Sequence, residues 1–269
     1  MNLLKIGTIG IFGTLAASSV IEKSMKSYDT DIIPTIDTVS IIIPSYNEES
    51  FIETAILSLR DQSIIHNYPH SFEFILVDSQ STDKTIQIAR PYVDKIIMSP
   101  RGKLTARNIA IDSANGNIIV SVDADTFYPY HWLNTILKPF RNSEYQNVVG
   151  VNGSTIDKSI IGVPGPIRNI LEFVDIIRYP NKMLGRNSAF YKHAYYMAGR
   201  FDESINQFNM QNMVAEEEIG FGERLSRIGR VVHKINASCI HLGGQKIACR
   251  WNFENKDTCA PYGFGKERF

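Results

Sequence analysis

Asp123 and Asp125 flank a single alanine, Ala124, directly after the apolar, β-branched run Ile118–Val122. In extended chain, residues two apart point to the same side, so both carboxylates are expected to face one cation. Hard oxygen donors with open coordination positions suit magnesium or manganese bridging to phosphate oxygens. Alone, such a triplet is more often a solvated turn, and its place after a buried strand gives it weight. Two other apolar runs end in polar residues. Val39–Pro44 leads into Ser45-Tyr46-Asn47-Glu48, and Phe72–Val77 leads into Asp78-Ser79.

The elements that must position these groups follow from periodicity. Val39–Pro44 and Phe72–Val77 are short, continuous and rich in β-branched residues, as strands buried on both faces should be. Ile52, Ala55, Ile56 and Leu59 repeat along one helical face, with Asn47 expected as the helix N-cap. Strand, loop and helix then recur: a helix to Arg90, a strand over Lys95–Met98, a helix over Thr105–Ala114 and the strand Ile118–Val122. This alternation predicts parallel βαβ units with right-handed crossovers and helices on both faces of the sheet. Ligands collect at the carboxyl ends of such strands, where the polar residues above lie. Beyond Val148–Val151 the alternation is irregular, and Pro164-Gly165-Pro166 reads as a loop or lid.

Composition narrows the alternatives. The 269 residues, 43% hydrophobic and 21% charged, can bury one large core. Lysine plus arginine equals aspartate plus glutamate at 28 each, so no global field points to nucleic acid, and an anionic ligand must be held locally. Cys239, Cys249 and Cys259 form no CxxC pair that would build a thiolate zinc site. Ile6 to Ile21 carries no charge and lies between Lys5 and Lys23. It is shorter than the about 20 apolar residues of a typical span and is diluted by glycines, so it reads as an anchor, a cleaved signal or a helix on the domain or a membrane surface.

Four blocks in order, VSIIIPSYNEE (Val39–Glu49), FILVDSQSTDKT (Phe74–Thr85), GKLTARNIAIDSANGNIIVSVDADT (Gly102–Thr126) and EEEIGFGERLSRIG (Glu216–Gly229), give the chain a resemblance to the inverting family 2 glycosyltransferases. It covers Val39 to His241 and implies the GT-A fold, a Rossmann-like, mostly parallel α/β sheet flanked by helices. The resemblance divides the chain into an N-terminal anchor or signal segment with its connector (1–37), a glycosyltransferase domain (38–245) and a tail (246–269). It further implies that Pro44, Tyr46 and Glu48 line the nucleotide pocket, with Tyr46 against the base, and that Asp78 accepts a hydrogen bond from uracil or guanine. Gly102 and Lys103 then lie where a loop passes the diphosphate. Arg107 binds phosphate or pairs with Asp78 or Asp123. Asp123 and Ala124 meet the ribose or a metal-bound water, Asp125 ligates the metal, Mn2+ or Mg2+, and His241 is a third ligand or a structural histidine.

For the catalytic base, alignment on Arg224-Leu225 puts Glu217 and Glu218 where the family commonly has Glu-Asp. Glu218 replaces that aspartate with a longer side chain, and Glu216 and Glu217 stand as fallback candidates. The bland reading of Glu216–Glu218 is an acidic helix start favoured by the helix dipole. The segments Gly185–Ala189 and Gly199–Asp202 resemble the sugar side of the pocket and read equally as turns. The implied reaction moves a sugar from a UDP- or GDP-sugar to a hydroxyl of a carbohydrate or glycoconjugate acceptor, with inversion, in a single transfer. A processive synthase would carry QxxRW, but Gln245 and Arg250-Trp251 have the wrong spacing. A nucleotidyltransferase would show a glycine-rich phosphate loop at the first strand, and a carbohydrate-binding relative would have lost its base.

Overall fold

The structure is a computed structural model, and its described residues are 38–156, 165–204 and 211–243. The N-terminal segment and connector, the tail from residue 246, Cys249, Cys259, Gln245, Arg250, Trp251 and Pro164 lie outside them. The segment Val39–Ser45 forms β1, buried at every position, and pairs in parallel with β2, Phe72–Asp78, and with β4, Ile118–Val122. Between them lie α1 (Ile52–Arg60), α2 (Ser63–Asn67), α3 (Thr85–Ala89), β3 (Lys95–Met98) and α4 (Lys103–Ser113). Alternate residues of β1 serve opposite faces: Ile41 and Ile43 pack with Ile52, Ile56 and Leu59, whereas Ile42 packs with Leu104, Ala106 and Ala110. That period of two, buried on both sides, is why the strand reads as one apolar run.

The second half completes an eight-stranded mixed sheet through β5 (Thr126–Phe127), α5 (Trp132–Arg141), β6 (Val148–Ile156), α6 (Gly165–Arg178), β7 (Asn187–Tyr191), α7 (Lys192–Met197), α8 (Gln211–Ser226) and β8 (Arg230–His241). Strand order is β3-β2-β1-β4-β7-β6-β8-β5. β7 runs antiparallel to β4 and β6, and β8 runs parallel to β6, so β6 and β8 end at the same edge as β1, β2 and β4. The expected parallel α/β sheet is thus present, extended by an antiparallel insertion.

Three local expectations change. Asn47 is not an N-cap: its φ is 53°, the helix begins at Ile52 behind Phe51, and the Asn47 side-chain oxygen accepts from the Thr82 N–H at 2.8 Å, joining the β1 and β2 loops. Gly165 and Pro166 start a helix, the terminus where proline is tolerated. Gly185–Ala189 leads into a strand, whereas Gly199 and Arg200 form a turn with φ of 89° and 67°. Among the described residues, no helix is long and apolar enough to cross a membrane.

Candidate active site

The carboxyl edge of β1, β2 and β4 gathers the polar residues. Ser45 and Asp78 are register partners, and the buried Asp78 carboxylate accepts from Ser45 Oγ (2.9 Å), Ser81 Oγ (2.6 Å) and the Ser81 N–H (2.7 Å). These bonds fix the β1 and β2 loops to each other. Pro44 is buried in β1, while Tyr46 is 40% exposed and carries the Arg101 guanidinium over its ring at 4.3 Å. Gly102, at φ 141°, precedes α4 and delivers Lys103 to its first turn. That φ favours glycine because a Cβ would strain it.

After β4 the chain turns at Ala124 and Asp125 instead of staying extended. The two carboxylates take different partners but both act on Glu48. Asp123 faces cations: Lys103 Nζ at 2.7 Å, Arg107 Nη2 at 3.0 Å and Arg186 Nε at 3.8 Å. Burial alone would raise its carboxyl, but Lys103, Arg107 and Arg186 override that and hold it well below the ordinary carboxylate range. Asp125 has its own partner, its Oδ2 lying 2.9 Å from His241 Nε2 at the end of β8. The Leu242 N–H to Asp125 O bond, 2.7 Å, fixes the two segments together.

This pair fits a divalent ion of the manganese or magnesium type. It supplies one carboxylate oxygen and one imidazole nitrogen, and Gly243 packs where a Cβ would collide with both Asp125 Oδ2 and His241 Nε2. The space at the pair thus depends on the missing side chain. Among the described residues, no three histidine, cysteine, aspartate or glutamate side chains converge as a complete metal site. Such ions commonly take one or two protein ligands and complete their shell with phosphate oxygens and water. Glu48 is near enough to feel both aspartates: burial first, then Asp125 and Asp123, push its carboxyl up to about 7, with Lys103 opposing.

Arg107 has no exposed surface and pairs with Asp123 on one side and Glu218 Oε1 on the other, the latter at 3.1 Å through Nη1. Of the two readings of Arg107, the structure has it pairing with carboxylates, with Asp123 and not Asp78. Gly185 lies flat against this guanidinium, where any Cβ would overlap it, and its N–H donates to the same Glu218 Oε1 at 3.0 Å. Among the described residues both bonds fall on Oε1 and none on Oε2. Glu217, adjacent in α8, faces elsewhere: it takes Arg224 Nη2 at 2.6 Å and the Asp202 N–H at 2.9 Å and ties α8 to the Gly199–Asp202 turn. The Glu216 side chain lies outside the described residues. Sequence reasoning missed Gly185 and Gly243 as packing positions and Arg186 as a third cation on Asp123, because each gains its role from a partner remote in sequence.

Comparison with known proteins agrees with this geometry. A family model described as "Glycosyl transferase family 2" matches residues 40–202. An uncharacterized glycosyltransferase of Haemophilus influenzae is 38% identical over 96 residues, 33% of this chain and 36% of that protein. The poly(ribitol-phosphate) β-N-acetylglucosaminyltransferase TarS of Staphylococcus aureus is 29% identical over 140 residues, 47% of this chain and 24% of TarS. The chain thus spans about a third or less of these relatives' length. Among solved structures, a Pyrobaculum calidifontis mannosyltransferase in complex with GDP-Man and Mn2+ superposes with a TM-score of 0.59 at 20% identity, over 89% of this chain and 67% of that one. Mycobacterium tuberculosis glucosyl-3-phosphoglycerate synthase with Mn2+, UDP and phosphoglyceric acid gives 0.54 at 18% identity, over 76% and 70%. These superpositions establish the GT-A architecture. With the family model covering more than half of its residues and the sheet edge carrying the expected carboxylates, the chain belongs to glycosyl transferase family 2.

Proposed function

We propose that the protein is a metal-dependent, inverting glycosyltransferase that moves a sugar from a nucleoside diphosphate to an acceptor hydroxyl in a single transfer. The observation that carries this reading is the anchoring of Glu218 by one oxygen. Arg107 and the Gly185 N–H hold Oε1, so the other oxygen is oriented to take a proton from an attacking hydroxyl. Glu217 does not compete, since its carboxylate is occupied by Arg224 and the Asp202 N–H.

On the donor side, the nucleotide lies over Tyr46 at the carboxyl ends of β1 and β2, with Pro44 and the Asp78 network beneath it. Gly102, Lys103 and Arg186 border the diphosphate, where positive potential offsets charge developing on the leaving group. Asp125 and His241 would hold Mn2+ or Mg2+, which would supply Lewis-acid stabilisation of the departing diphosphate. Asp123 keeps Lys103 and Arg107 in place and faces the ribose. The acceptor oxygen approaches from the Glu218 side, opposite the leaving group, so one displacement inverts the anomeric carbon. The acceptor is a carbohydrate or glycoconjugate.

The test is release of nucleoside diphosphate from UDP- and GDP-sugars with manganese, after a melting-temperature screen to find the donor that stabilises the fold. Release that requires metal and is lost in Asp125→Ala supports the reading. Stabilisation by a donor with no release under any acceptor condition would instead mark a binding protein.

A further inference from the structure

The helix α6 carries an apolar surface that the site does not use. Ile167, Ile170, Leu171, Phe173, Val174 and Ile177 are each 50–64% exposed. At about 100° per residue they cover about 160° of the helix circumference. Contiguous exposed apolar area of this kind marks an interaction surface. A single partner helix would use a narrower seam.

We infer that α6 docks in the plane of a lipid bilayer surface. At 14 residues it is about 21 Å long, too short for a hydrocarbon core of about 30 Å, so it lies along the interface. Where the stripe ends, the exposed Arg178 places its guanidinium over the Tyr179 ring at 5.2 Å. A cation and an aromatic ring together are what the headgroup layer accepts beside an inserted apolar face, and Arg178 complements anionic lipid. The same chain contains the uncharged run Ile6–Ile21, and residues 22–37 separate it from β1. That length reaches about 50 Å when extended, so both apolar segments can meet one surface.

The position of α6 gives the docking a purpose. β6 ends at the same sheet edge as β4, α6 follows it, and the chain then returns through Met183, whose N–H donates to Glu218 O at 3.1 Å, to Gly185 on Glu218 Oε1. A docked α6 is thus joined to the Glu218 side of the site by the short segment 179–185, which suits an acceptor carried on a lipid. That last step rests on the glycosyltransferase reading; the docking itself does not.

The test uses the full chain with vesicles of phosphatidylcholine and phosphatidylglycerol. Hydrogen exchange should slow within residues 165–178 when vesicles are added, and Ile170→Glu/Val174→Glu should cosediment about tenfold less or weaker, with an unchanged melting temperature. Unchanged exchange with vesicles, or cosedimentation equal to wild type in the double variant, overturns the proposal. Protection that appears without lipid and grows with protein concentration also overturns it, in favour of a second copy. Neither readout requires turnover, so a vesicle-binding protein lacking transferase activity would sink the functional reading and leave the docking intact.

Discussion

Asp125 Oδ2 lies 2.9 Å from His241 Nε2, so the turn between β4 and β5 meets the last residue of β8, the register partner of Thr126. This contact joins the family-matched half of the chain to a strand outside residues 40–202. It is also where the cation of the proposed reaction would sit.

Removing either partner should therefore uncouple metal from donor. Asp125→Ala is expected to lower manganese-dependent nucleoside diphosphate release by about 100-fold or more. His241→Ala should raise the manganese concentration needed for half-maximal rate by about 10- to 100-fold, scaled on the effects of metal-site partners. Gly243→Ala should mimic His241→Ala, because its Cβ intrudes on the pair. Metal titration of initial rates checks all three.

Glu218 and Glu217 should separate cleanly despite being neighbours. Glu218→Gln is expected to keep donor-induced stabilisation while turnover falls by about 100-fold or more. Glu217→Ala leaves the Arg224 guanidinium and the Asp202 N–H, whose bond is part-buried, without their shared acceptor. It should cost about 2–3 kcal/mol and lower the melting temperature by about 5–10 °C. Calorimetry beside turnover assays distinguishes the two. A normal rate for Glu218→Gln would move the base elsewhere.

The Glu48 carboxyl gives a pH signature in metal-free protein. Burial and the two aspartates raise it from 4.5 to about 7, so between those values the folded protein keeps a proton that the unfolded chain has released. Its contribution to stability is fully present below pH 4.5 and is lost as pH rises toward 7. Glu48→Gln should match wild type near pH 5 and melt at a higher temperature near pH 8. Melting curves in chelator across that range check the sign.

Gly185→Ala probes the packing around the buried guanidinium. Because the added methyl overlaps Arg107, the variant should lose about 1–3 kcal/mol from overpacking. It should also lose turnover out of proportion to donor affinity, since Arg107 and the Gly185 N–H orient Glu218. A kcat/KM comparison with donor Kd measures that split.

The first half of the fold was legible because its strands are buried on both faces and alternate with helices, so the run VSIIIP announces itself and places Asp78, Asp123 and Asp125 at one edge. The separate partners of the two aspartates were not legible. Periodicity assumes extended chain, whereas Ala124 and Asp125 turn. In the second half, β7 was read from its flanking residues as equally a turn because its antiparallel pairing with β4 depends on contacts made across the sheet. The role of Arg107 was half legible. A cation near Asp123 could be expected, but its bond to Glu218 spans 111 residues and exists only once α8 has packed.

Arg107 has a consequence for assembly of the chain. Its guanidinium draws one anion from β4 and the other from α8, and it has no water-facing surface. An amino-terminal fragment ending before α8 would strand half of an interior charge, a penalty of several kcal/mol by the cost of leaving buried ions uncompensated. Synthesis from the amino end is thus expected to leave this part of the sheet unstable until α8 packs, so that the Asp123 and Glu218 sides of Arg107 form together.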